Sequence, residues 1–142
     1  MQKQRTSYGW LLRLDAGEEI IGSLRDFAQA QGIVGGAISG IGAVGETELG
    51  FFVRETRSYI RRTFTGDHEI LSLMGNFSML DGVPFPHCHL ILCGEDFVAH
   101  GGHLFRGLVT VTCELHLVTT SEVIVRTPRP DLGFHPLAPS GA

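Results

Sequence analysis

Residues 108–118 alternate strictly: Val109, Val111, Cys113, Leu115 and Leu117 face one way, while Thr110, Thr112, Glu114 and His116 face the other. Side chains on a strand point to opposite faces in turn, so this period of two fixes a half-buried strand. A strand apolar on one side only belongs to an antiparallel sheet whose apolar face needs a cover. The cover lies upstream. Asp15 stands three residues before Glu18, the spacing of a capping box, in which both side chains satisfy free amides at a helix start. Ile20, Ile21, Leu24, Phe27 and Ala28 then trace one helical stripe, with Glu19, Arg25 and Asp26 off it and Gly32 as a left-handed stop. The sequence predicts one long helix over 16–31 and further strands at 10–14, 33–38, 48–53, 70–77 and 87–93. The expected class is α+β, a mostly antiparallel sheet packed with one long helix and room for short ones.

A chain of 142 residues, 43% of them hydrophobic, suits one globular domain whose core needs no disulfide or structural metal. Eleven basic residues against 15 acidic give a net charge of -4, which lacks the field of a strong non-specific nucleic-acid binder. Cys88, Cys93 and Cys113 cannot all pair within one chain, so a reducing cytoplasm is expected. Met1 to Tyr8 has no apolar core of the kind a signal peptide needs. The longest uncharged run, 27–45, holds six glycines and two glutamines, which reads as a helix end and a glycine-rich strand rather than a membrane span. Residues 127–142 carry four of the six prolines and read as a strand end running into a loose tail.

Gly40-Ile41-Gly42-Ala43-Val44-Gly45 spells a dinucleotide fingerprint, but that chemistry needs a strand before it and a helix after it. Here the order is reversed, and the glycines read as bends and close backbone contacts. The histidines carry more. His87 and His89 sit at i and i+2, so on a strand their imidazoles share a face about 6 to 7 Å apart, a span two ligands of one metal can use. The connection 94–102 folds the next arm back, bringing His103 or His100 towards them. Three neutral imidazoles suit zinc, or another divalent transition metal, and leave one coordination position for water or a small anionic ligand. Cys88 points to the opposite face as core filler. Glu114 and His116 share a strand face as an acid–base pair or a solvated surface, and Glu114 is also a candidate second-shell partner for a ligand imidazole. Arg54, Arg57, Arg61 and Arg62 crowd one segment, as a phosphate contact or, more commonly, a solvated hairpin.

The runs Arg13-Leu14-Asp15-Ala16-Gly17-Glu18-Glu19, Ser39-Gly40-Ile41-Gly42-Ala43-Val44, Glu48-Leu49-Gly50-Phe51-Phe52, Glu69-Ile70-Leu71-Ser72-Leu73-Met74-Gly75-Asn76, His87-Cys88-His89-Leu90 and Gly101-Gly102-His103-Leu104 occur in an order that resembles the PPC (plants and prokaryotes conserved) domain. The resemblance spans a domain at 8–126, followed by the Pro-rich segment 127–142. It implies an antiparallel sheet with flanking helices, assembled as a homotrimer. In plants the domain is joined to an AT-hook with an Arg-Gly-Arg-Pro core; Thr127-Pro128-Arg129-Pro130 is the nearest run and lacks it. The stand-alone prokaryotic type implied here resembles metal-binding proteins, with His87, His89 and His103 as ligands and His100 as second choice. The alternative that the family label suggests is a DNA-binding or transcription-associated module.

Overall fold

The computed structural model describes residues 1–139. Strands β1 (Gln2–Thr6) and β2 (Gly9–Asp15) precede helix α1 (Ile20–Gln31). Strands β3 (Gly36–Val53), β4 (Ser58–Phe64), β5 (His68–Leu80), β6 (Val83–Cys93) and β7 (Ala99–Thr119) follow. Every pairing between them is antiparallel, in the order β1-β2-β7-β6-β5-β3-β4. Strand β3 also pairs with β7, so β3, β5, β6 and β7 form a closed ring of pairings. The fold is the expected α+β class, with α1 the one helix among the described residues.

Helix α1 turns Ile20, Leu24, Phe27 and Ala28 inward onto the apolar faces of β6 and β7. There they join Leu12, Leu14, Ile38, Leu73, Phe77, Leu90, Leu115 and Leu117 in one buried core. The helix starts later than the sequence predicts. The Asp15 amide does donate to Glu18 Oε2 at 2.7 Å, which is half of a capping box. But Asp15 is held as the last residue of β2, opposite Thr112. Glu19 is the cap instead: its carboxylate accepts from the amides of Ile21 at 3.0 Å, Gly22 at 2.6 Å and Gly107 at 3.1 Å. The helix therefore begins where one carboxylate serves both its own first turn and β7. Gly32 closes it with φ 64°.

The two strands expected at 33–38 and 48–53 are one bent strand, β3, and the glycine run lies inside it. A Cβ on Gly42 would stand 2.3 Å from the Thr112 carbonyl oxygen, so the glycine permits β3 and β7 to approach. At this bend Gly42 pairs with Cys113 and Val44 with Val109. The bulge in β7 carries Val111 to the surface, 67% exposed, although its alternation predicts burial.

Candidate metal centre

On β6 the alternation is set by the core: Pro84, Pro86, Cys88, Leu90 and Leu92 are buried, so Phe85, His87, His89 and Ile91 take the outer face. Register does the rest. His89 pairs with His103 of β7, His87 pairs with Asn76 of β5, and His103 pairs with Gly50 of β3. Directly paired residues share a face, so three strands deliver their polar groups to one spot. His87 Nε2 lies 3.0 Å from His103 Nδ1. One ring nitrogen from each of His87, His89 and His103 falls within 4.8 Å of the others. A Cβ on Gly50 would meet Phe105 at 2.5 Å and Tyr59 at 2.9 Å. The bare position opposite His103 thus makes room for two rings, 4.6 and 5.1 Å from that imidazole.

The structure brings together His87, His89 and His103. His100 is placed elsewhere, opposite Leu92 and 5.1 Å from the Phe64 ring. Glu114 lies eleven residues from His103 along β7, exposed and paired in register with Arg13 and Ile41, so it has no place beside these imidazoles. His116 contacts the Tyr8 hydroxyl at 3.2 Å rather than Glu114. Three of the four arginines take separate partners. Arg57 donates to the Pro130 carbonyl at 3.3 Å, Arg61 pairs with Glu48 at 3.2 Å, and Arg62 lies over the Phe64 ring. Cys88 is buried as expected, and burial pushes its thiol up to about 12, which makes it inert.

Sequence reasoning missed Arg126. The segment after β7 is pinned to the end of β5, where the Arg126 amide donates to the Met79 carbonyl at 2.9 Å. From there the side chain runs across the outer face, beside Ser78, Phe85 and His87. It donates from Nη2 to Asn76 Oδ1 at 2.8 Å and to His87 Nδ1 at 3.0 Å. A guanidinium only donates, so here His87 Nδ1 accepts and the neutral ring carries its one hydrogen on Nε2, facing His103 Nδ1; a metal on Nε2 would require that hydrogen to shift to Nδ1 and the Arg126 bond to give way. The one signal in the sequence is an arginine ending the apolar run Val123-Ile124-Val125.

Burial, then the neighbouring His103, Arg126 and His89 charges, pull His87 down to about 4. Burial, then His89, Arg61 and Arg126, do the same to His103, also to about 4. Both rings are neutral at pH 7, the form that offers a lone pair to a metal. In a tetrahedral zinc site with bonds of 2.0 to 2.1 Å, ligand nitrogens stand about 3.3 Å apart. Three imidazole donors gathered within 4.8 Å fit a borderline-soft divalent metal with one position left for a ligand.

A family model of the Plants and Prokaryotes Conserved (PCC) domain matches residues 1–121. Solved structures agree. A proposed DNA-binding protein from Bacteroides thetaiotaomicron is 32% identical, with a TM-score of 0.93 and 96% of each chain covered. A metal-containing protein from Archaeoglobus fulgidus is 35% identical, with a TM-score of 0.83 and 91% of each chain covered. A plant- and prokaryote-conserved (PPC) protein from Pyrococcus horikoshii is 32% identical, with a TM-score of 0.85, covering 99% of this chain and 96% of the other. Among curated proteins no sequence matches.

Proposed function

The chain belongs to the Plants and Prokaryotes Conserved domain family, and from that premise we propose that it is a metal-binding protein, assembled as a homotrimer in the cytoplasm, which holds zinc or another divalent transition metal on His87, His89 and His103. The observation that carries this reading is the convergence of three imidazoles from two strands within 4.8 Å. The likeness to a metal-containing protein adds to it. A bound zinc ion acts as a Lewis acid, polarising a ligand or lowering the pKa of water. The chain's own residues hold and orient: the register of β5 and β6 sets Asn76 beside His87, and Tyr59 and Phe105 wall the His103 side. Three buried free thiols accord with a reducing compartment. No helix among the described residues is long and apolar enough to cross a membrane.

A DNA-associated module is the second reading, favoured by the relative from Bacteroides thetaiotaomicron. The metal reading is tested by elemental analysis of the purified protein and of His89→Ala. The wild-type chain is expected to carry about one metal per chain. The variant is expected to lose it with little change in melting temperature, because the core lies on the other side of the sheet. Wild-type protein that retains no transition metal after incubation with zinc overturns the reading.

A further inference from the structure

Arg126 is a buried cation with no acid to answer it. It is 8% exposed. Its Nε donates to Ser78 Oγ at 2.8 Å, Nη1 to the His135 carbonyl at 2.9 Å, and Nη2 to Asn76 Oδ1 and His87 Nδ1. All four acceptors are neutral. Among the described residues, none of the ion pairs includes Arg126. A guanidinium taken out of water carries a desolvation cost that neutral acceptors offset only in part.

The imidazole centre stands one hydrogen bond away. Three neutral imidazoles bring no negative charge, so a divalent metal there adds to the charge of Arg126 instead of cancelling it. A neutral water at the remaining position leaves that excess in a half-buried site; an anion reduces it. We propose that this centre is a binding site for a small organic carboxylate, with Arg126 as the fixed positive charge that selects the anion over its uncharged analogue. The inference rests on the metal reading above and deepens it.

Two further observations set the ligand class. Arg126 has five N–H groups, and three stay committed to Ser78, His135 and Asn76 whichever nitrogen of His87 carries the hydrogen, which leaves two donors, the number a carboxylate takes and fewer than the several oxygens of a phosphate dianion ask for. The surroundings mix apolar side chains with Arg61, whose guanidinium lies 3.7 Å over the Phe105 ring and adds to the positive field. Met74 pairs directly with His89 and is exposed, Phe85 lies 6.5 Å from His87, and Phe105 lies 4.6 Å from His103. An organic remainder attached to the carboxylate has rings and a thioether to lie against. Tyr59, its ring 5.1 Å from that of His103, adds a hydroxyl that can donate.

The test uses cobalt(II)-loaded full-length protein, whose visible spectrum reports its ligands, titrated with benzoate, benzamide and inorganic phosphate. Benzoate is expected to shift the spectrum saturably, at least about ten-fold more tightly than benzamide or phosphate, a difference of about 1.4 kcal/mol. Arg126→Gln should retain cobalt and weaken benzoate by about ten-fold or more, with Arg126→Lys recovering part of the loss. Equal affinity for benzoate and benzamide, tighter binding of phosphate, or an Arg126→Gln variant with unchanged benzoate affinity overturns the inference while leaving the metal reading intact. Failure of wild-type protein to take up cobalt overturns both. The comparison of benzoate with benzamide uses the wild-type chain alone, so it decides the question even where a variant does not fold.

Discussion

An imidazole holds a metal only through an unprotonated nitrogen, and at His87 and His103 burial does most of the work of keeping one free. Both rings sit near pKa 4 in the folded chain against 6.5 for an ordinary histidine. Between those values the unfolded chain binds protons that the folded chain refuses. Stability contributed by these two groups is therefore intact above about pH 6.5 and is lost as pH falls towards 4. The Arg13 and Arg129 guanidinium groups also lower the carboxyls of Asp15 and Asp131, but these act below the ordinary carboxyl value of 3.8, outside that window. Denaturant midpoints of zinc-stripped protein should fall steadily from pH 6.5 to pH 4, and more shallowly in the His87→Gln, His103→Gln double variant. Equal slopes in the two proteins would remove these imidazoles as the cause. The same protons compete with a metal, so zinc uptake should weaken across this window too.

At the scale of elements, one carboxylate distinguishes the expected helix start from the observed one. Glu19 satisfies two amides of α1 and the Gly107 amide of β7, whereas the Asp15 carboxylate meets Arg13 and the amino terminus at the surface. Glu19→Ala should cost about 1 to 2 kcal/mol in denaturant unfolding, and Asp15→Ala clearly less, because its ion pairs lie in solvent. The reverse order would restore Asp15 as the effective cap. The same contrast explains what the sequence discloses. Elements with one buried face are legible, because burial writes a period into them: α1, the centre of β6 and most of β7. The strands β1 and β4 are not, since both lie at the ends of the sheet order, mostly exposed, and Gln2–Thr6 needs no apolar side to pair with β2. Parity on a strand also makes His87 and His89 legible as a pair. The choice of His103 over His100 depends on register, because only one of them comes opposite His89. Arg126 reaches His87 across 39 residues of chain, through a contact that no local spacing encodes.

The whole molecule leaves apolar side chains in water that a lone chain has no means to cover. Phe51 and Ile60 are directly paired across β3 and β4 and are 72% and 64% exposed. With Met74 and Ile91 on the outer face, they give a self-associating chain surface to bury. Light scattering at micromolar concentration should report about three times the 15.5 kDa chain mass, and a monomer there would remove the trimer. Assembly bears on nucleic acid as well. A charge of -4 per chain would become about -12 in a trimer, and a field of that sign repels phosphate at long range. Short-range contacts could override it through arginines, and several of these are engaged: Arg61 with Glu48, Arg57 with the Pro130 carbonyl, Arg126 with Asn76 on the outer face. Releasing them would give up contacts the fold already makes, and salt would weaken whatever replaced them. Fluorescence anisotropy with a labelled duplex at physiological salt should therefore show affinity no tighter than about micromolar, in the range of non-specific binding. Sub-micromolar affinity that disappears in the Arg57→Ala, Arg61→Ala double variant would establish the opposite, a DNA-binding face built on the β3–β4 hairpin.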